Sequence, residues 1–186
     1  VPMTVADMDF ATAPEIVEVL AKYPTQELLG YSRPTDRYLG AVTNFYEKEH
    51  GYQAKKEWIF TTPGVVPALA SAVRTLTKPG EGVILMTPIY GPFYDVSQGQ
   101  GRQVAECPMH VVKGRFELDF ERFEALCAEE NNKLFLLCSP HNPSGRVWTK
   151  EELKRLADIC EKHGVHVAAD EIHSDIVMDG HTHTVF

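Results

Sequence analysis

The sequence predicts an α/β fold, a mostly parallel sheet flanked by helices, and two features of its patterning predict it. Short continuous apolar runs, such as Gly82-Val83-Ile84-Leu85-Met86 and Lys133-Leu134-Phe135-Leu136-Leu137-Cys138, suit strands covered on both faces. Between them lie segments whose apolar residues recur at helical spacing. Strand alternating with helix builds a layered domain around a parallel sheet. Composition agrees: 186 residues at 44% hydrophobic and 24% charged can bury a sizeable core and are not those of a disordered chain.

The elements follow in order. Pro14 suits a first helical turn, with Ile16, Val17 and Leu20 on one face, and Pro24 is expected to end that helix. Thr35 is placed to cap a longer helix carrying Leu39, Val42, Tyr46 and Glu49, closed by Gly51. Trp58-Ile59-Phe60-Thr61 reads as a short buried strand. It leads through Thr62-Pro63-Gly64 into a helix with Val66, Leu69, Ala70, Val73 and Leu76 on one face, stopped by Pro79-Gly80. The strand at Gly82 comes next, then a Pro-flanked turn and a helix near Phe93 to Ser97. Arg102 to Cys107 is a further strand, and Asp119 caps a helix through Phe120, Phe123, Leu126 and Cys127. After the strand at Lys133, Thr149-Lys150-Glu151-Glu152 has capping-box spacing. Its helix buries Leu153, Leu156, Ala157 and Cys160 and stops at Gly164, before a strand over Val165 to Asp170. The segment before about residue 52 is strand-poor and is expected outside the main sheet.

Several function classes fall away. Eighteen Lys+Arg against 26 Asp+Glu leave a net charge of −8 with no basic run, which argues against nucleic acid as a partner. No apolar stretch approaches the roughly 18 residues of a spanning helix, so no membrane role is expected. Cys107, Cys127, Cys138 and Cys160 are scattered without a C-x-x-C pair, as reduced thiols of a cytoplasmic protein are. Val167-Ala168-Ala169-Asp170-Glu171 looks like the acidic strand of a P-loop ATPase, but the G-x-x-x-x-G-K-[ST] loop is missing. Gly99-Gln100-Gly101 lacks the third glycine of a dinucleotide site and precedes a strand, as a turn does. His173, His181 and His183 with Asp170 match no standard zinc spacing, so no metal is assigned. A G-x-S-x-G elbow is absent too. The chain opens at Val1 inside a patterned segment and closes at Phe186, and it is read as a piece of a longer protein.

In parallel sheets, ligands bind beyond the carboxyl ends of the strands. Four polar or Gly/Pro-rich segments are expected there: Thr62 to Val66, Thr87 to Pro92, Ser139 to Gly145, and Asp170 to His173. Pro140-His141-Asn142-Pro143-Ser144-Gly145 and Asp170-Glu171-Ile172-His173 resemble the N-P-[ST]-G and D-E-x-[HY] signatures of fold-type I pyridoxal-phosphate (PLP) enzymes, the aminotransferase class I/II superfamily. Val5-Ala6-Asp7-Met8-Asp9-Phe10, Gly30-Tyr31, Thr62-Pro63-Gly64-Val65-Val66 and Asp170 to Asp175 are similar to its cystathionine β-lyase subgroup, often called MalY/PatB.

The resemblance implies a role for each of these residues. Asp170 would pair with the protonated pyridine nitrogen, and Asn142 would donate to the phenolic oxygen of the ring. His173 stands where aminotransferases carry Tyr beside that oxygen, Tyr90 stacks on the ring, and Gly64, Val65 and Val66 offer backbone N–H groups to the phosphate. Tyr31 looks like the tyrosine that reaches a neighbouring subunit's phosphate, which implies a homodimer with a shared active site. Each residue has a plainer reading as well: a core ion pair for Asp170, an Asx-turn for Asn142, a structural His173, a rim Tyr90 and an ordinary turn at Gly64. Residues 1–51 would then form the arm and part of the small domain and dimer interface, and residues 52–186 a PLP-binding large domain truncated at its C-terminal side.

The family's Schiff-base lysine follows the D-E-x-H strand, whereas the last lysine here is Lys162. That lysine and the carboxylate-binding arginine are expected beyond Phe186, so no catalytic residue is assigned within this chain. Thr4 replaces a tryptophan common in relatives. The implied activity of the parent is a PLP-dependent carbon–sulfur β-lyase acting on a small amino-acid substrate. The alternatives are a class I/II aminotransferase, which His173 in place of Tyr disfavours, and a non-catalytic PLP-fold interaction or regulatory protein.

Overall fold

The computed structural model describes residues 10–26 and 29–186. The motif segment from Val5 to Asp9, and Thr4, lie outside the described residues. The chain divides into two compact units, Val1–Tyr38 and Leu39–Phe186.

In the first unit, α1 (Pro14–Gln26) starts at Pro14 as expected but does not stop at Pro24, which lies inside the helix. Two residues from the end, a proline forfeits only one intrahelical bond. The Thr25 hydroxyl donates to the Lys22 carbonyl at 2.8 Å, satisfying an acceptor in the same last turn. Ile16, Val17 and Leu20 are all exposed. Helix α2 (Asp36–His50) crosses the division between the units. The Thr35 hydroxyl accepts the Tyr38 N–H at 3.2 Å, the capping expected of it.

The second unit does not begin with a strand. Lys56–Trp58 is a 3-10 turn, Ile59 stays extended, and Phe60 is 86% exposed. An extended segment becomes a strand by pairing, and among the described residues no strand of the sheet pairs with this one. Helix α3 (Val65–Leu76) then buries Leu69 and Val73 but leaves Val66 exposed, against expectation, because its neighbour Val65 is the first-turn residue that packs against the core.

The remaining elements are β1 (Gly82–Thr87), α4 (Pro92–Gln98), β2 (Gln103–Pro108), β3 (His110–Val112), β4 (Arg115–Glu117), α5 (Phe120–Ala128), β5 (Asn132–Cys138), α6 (Lys150–His163) and β6 (His166–Asp170). The main sheet has the order β2-β1-β5-β6 and is parallel throughout. Side chains of a strand alternate between faces, and the core divides accordingly. Val83, Leu85, Leu134 and Leu136 pack under α3 and α4 with Leu69, Val73 and Phe93. Ile84, Met86, Phe135 and Leu137 pack under α5 and α6 with Phe123, Leu126, Leu156 and Trp148.

The hairpin β3–β4 was not anticipated. Its two-residue loop is Lys113-Gly114, both at positive φ, a conformation for which Asn-Gly is the stronger sequence signal. Asp119 caps α5 by accepting the Arg122 N–H, and Thr149 and Glu152 form the expected capping box on α6. Gly164 ends α6 at φ 69°, where a side chain would be strained. All four cysteines are free and buried. Among the described residues, no helix is long and apolar enough to cross a membrane.

Candidate active site

Because the sheet is parallel, Thr87, Cys138 and Asp170 end their strands on one edge. Cys138 and Asp170 are ladder partners, and the Ser139 N–H extends the ladder by bonding the Asp170 carbonyl at 2.9 Å. Asp170 is 7% exposed, and one of its carboxylate oxygens accepts the Ile172 N–H at 3.1 Å. Burial pushes its carboxyl above the ordinary range, opposed by that hydrogen bond and by the nearby His173 ring. A buried carboxylate in this state favours a cation that arrives with its own N–H. A protonated pyridine nitrogen fits that requirement.

The loop after β5 carries Asn142. Its carbonyl accepts the Tyr90 N–H at 3.1 Å, which joins this loop to the one after β1. Its own N–H points to the Cys138 sulfur at 3.4 Å, and the same thiol lies 3.4 Å from the Pro140 carbonyl as a donor. Burial raises the Cys138 thiol to about 11, so it stays protonated and able to donate. The Tyr90 side chain is half exposed at the rim.

The orientation of α3 follows from its far end. Arg102, just before β2, donates to the Thr77 hydroxyl at 2.9 Å and to the Thr77 carbonyl at 2.6 Å. That fastens the C-terminus of α3 to the amino edge of the sheet. Twelve helical residues rise about 18 Å, close to the length of a six-residue strand, so Gly64, Val65 and Val66 come to the carboxyl edge. Gly64 holds φ 109°, open to glycine alone without strain, and as the N-cap it brings no side chain to the first-turn N–H groups. Uncapped amides at the positive end of a helix suit a phosphate.

A cavity of about 940 Å³ opens beside the edge. Asn142 and His173 line it, together with Phe116, Trp148, Ile176 and Met178. Asp170, Tyr90 and Gly64 are not part of its wall. Tyr31 belongs to the first unit and is fully exposed. Among the described residues, no group of three or more His, Cys, Asp or Glu side chains is placed to hold a metal ion.

The family model for aminotransferase class I and II matches residues 1–185. The chain belongs to that family. Among its relatives, cystathionine beta-lyase PatB of Bacillus subtilis is 41% identical over 185 residues, spanning 100% of this chain and 48% of that protein. Protein MalY of Escherichia coli is 38% identical, spanning 98% of this chain and 47% of its own. The crystal structure of cystalysin from Treponema denticola, which contains a pyridoxal 5'-phosphate cofactor, superposes with a TM-score of 0.96 at 45% identity, covering 100% of this chain and 47% of that one. The chain thus spans about half the length of the curated relatives it matches.

Within this family member, sequence reading overlooked the scaffold that shapes the Asn142 loop. His141 Nδ1 and the Ser144 hydroxyl are 2.8 Å apart, and the backbones of His141 and Arg146 bond at 2.7 Å. Trp148 donates its indole N–H to the Cys138 carbonyl at 3.0 Å, while the Arg146 guanidinium lies over its ring at 4.3 Å and pairs with Glu152. An aromatic two residues past an arginine, in a polar loop, is the one signal that could have marked this cluster.

Proposed function

We propose that the full-length protein is a PLP-dependent carbon–sulfur β-lyase. It takes cystathionine or a related cysteine S-conjugate, with water, to a thiol, pyruvate and ammonia. The observation that carries this reading is the buried Asp170 carboxylate, ladder partner of the strand end from which the Asn142 loop departs. The names of the relatives, cystathionine beta-lyase among them, support the lyase over the transaminase.

PLP, when bound, supplies a sink for the electron pair released at the substrate Cα. Asp170 would keep the pyridine nitrogen protonated. Asn142 would donate its amide to the phenolic oxygen, with His173 beside it, and Tyr90 would cover the ring. The first-turn amides from Gly64 to Val66 would take the phosphate at the positive end of α3. Tyr31 would serve the phosphate of a neighbouring subunit, making the enzyme a homodimer with a shared site. We assign residues 1–51 to the arm and small domain, residues 52–186 to the cofactor domain, and the proton-transferring lysine to the segment following β6 that this chain does not span.

The test is the full-length protein with saturating PLP and L-cystathionine. Homocysteine and pyruvate are expected without any 2-oxo acid, and Asp170→Asn should keep the far-UV circular dichroism while losing most turnover. Product that forms only with added 2-oxo acid, matched by the corresponding amino acid, would make the protein an aminotransferase instead.

A further inference from the structure

The chain that leaves β6 after Asp170 returns on itself, and one side chain closes the return. Glu171 Oε1 accepts the Phe186 N–H at 2.9 Å, fifteen residues on, and lies 3.3 Å from His183 Nε2. The His183 side chain is 1% exposed, and its Nδ1 is buried without a partner among the described residues. The bond to Glu171 therefore calls for the tautomer with its proton on Nε2, which leaves Nδ1 as a bare acceptor, the less costly atom to bury unpaired. Behind His183, the His50 ring at the end of α2 stands edge-on at 6.0 Å and 79°, and His50 Nε2 lies 3.4 Å from Asp175 Oδ1.

We infer that Glu171 and His183 are positioning residues: a carboxylate–imidazole clasp that holds the segment bearing Asp170 and His173 in register at the strand end. The reason lies in the backbone. One oxygen of Asp170 is oriented by the Ile172 N–H, so its aim depends on the path of residues 171 and 172. Two successive turns follow, Ser174 N–H to the Glu171 carbonyl at 2.9 Å and Ile176 N–H to the His173 carbonyl at 3.1 Å. These turns set the local path but not where the segment lies. Closing a loop of this length costs conformational entropy, and a charge-assisted bond between its ends offsets part of that cost. The clasp touches neither substrate nor cofactor and acts through Asp170 and His173.

The inference rests on the reading that PLP binds at Asp170, and the experiment separates the two. Full-length Glu171→Ala, Glu171→Gln, His183→Leu and Asp170→Asn are compared by PLP dissociation constant, visible circular dichroism of the bound cofactor, and melting temperature without cofactor. Glu171→Ala is expected to weaken PLP binding about tenfold or more and to reduce the dichroism. Glu171→Gln, whose amide oxygen still accepts from Phe186 and His183, should stay within about threefold. His183→Leu fills the buried space without the donor and should shift both cofactor readouts in the same direction as alanine, which keeps the test open if Glu171→Ala does not fold. Unchanged affinity and dichroism in Glu171→Ala and His183→Leu, beside a clear loss in Asp170→Asn, overturn the clasp alone. A melting temperature that falls in proportion to affinity across the Glu171 and His183 variants overturns it too, because the role is then structural. An Asp170→Asn protein with unaltered cofactor readouts overturns the site reading itself.

Discussion

The segments that follow β5 and β6 leave adjacent parallel strands at the same edge, and both carry residues of the candidate site. They are held in different ways. The loop from Ser139 to Thr149 is fastened by many bonds over short spans, His141 to Ser144, His141 to Arg146, Gly145 to His141, and Trp148 back to Cys138, and is tied to its neighbours at Asp170, Tyr90 and Glu152. The segment from Glu171 to Phe186 has two short turns, is closed by Glu171 on His183 and Phe186 at its far end, and reaches outside itself through Asp175 to His50 of α2. Exposure follows the same division. Trp148 is buried in the core, whereas Ile176 and Met178 are 72% and 74% exposed. The first loop is thus fastened at many points, and the second segment at few, chiefly at Glu171 and Asp175.

If that contrast holds, the largest effect comes from the first loop. Trp148→Ala removes a side chain that is 2% exposed, its bond to the Cys138 carbonyl, and the ring under the Arg146 guanidinium. Replacement of a buried large aromatic by alanine costs about 3–5 kcal/mol. Urea unfolding should show the midpoint falling with an unchanged slope. A loss below about 1 kcal/mol would mean that the loop does not depend on this anchor.

Titration reads both strand ends, since burial shifts the Asp170 carboxyl at the end of β6 and the His141 imidazole in the loop after β5 in opposite directions. Burial raises the Asp170 carboxyl above its usual 3.8, so in the window above that value the folded chain binds more protons than the unfolded one. Stability without cofactor therefore falls as pH rises through that window and stays lower above it. Burial lowers the His141 imidazole below its usual 6.5, so its contribution is full above 6.5 and is lost as pH falls through the window beneath. Either slope is at most about 1.4 kcal/mol per pH unit for one proton. Unfolding of the cofactor-free full-length protein across pH is the measurement. Asp170→Asn should abolish the acidic falling limb and be no less stable than wild type at neutral pH, while His141 retains its rising limb. A destabilised Asp170→Asn at neutral pH would show that the Ile172 N–H and the His173 ring outweigh the cost of burying the carboxylate.

The same contrast explains what was legible in the sequence. Strands β1, β5 and β6 announced themselves as apolar runs because burial on both faces leaves no polar position, and the caps at Asp119 and Thr149 as local spacings because the capped N–H lies three residues on. Asn142, Asp170 and His173 were proposed from motifs of four to six residues that resemble family signatures. Trp58 to Thr61 misled, since four apolar-rich residues look like a strand whether or not an edge is free to pair with them. Pro24 misled because a proline inside a helix forfeits one bond and crowds the turn before it without forbidding the helix to continue. The partnership of Glu171 with His183 crosses twelve residues, and that of His50 with Asp175 crosses most of the second unit. No periodicity encodes such pairs.

The smallest effect belongs to the outermost of those distant pairs. His50 is nearly buried at its side chain, but Asp175 is 60% exposed, and their atoms are 3.4 Å apart. Water and salt screen a half-solvated pair, so such contacts contribute about 0–1 kcal/mol. Asp175→Asn should accordingly shift the unfolding midpoint of the full-length protein very little, and less still at high salt. Its effect on PLP affinity should be smaller than that of Glu171→Ala, because Asp175 is not bonded to the ends of the returning segment. A loss of cofactor affinity equal to that of Glu171→Ala would move the fastening point from the Glu171 carboxylate to the contact with α2. The second segment would then be held chiefly from α2, and not by the closure of its own two ends.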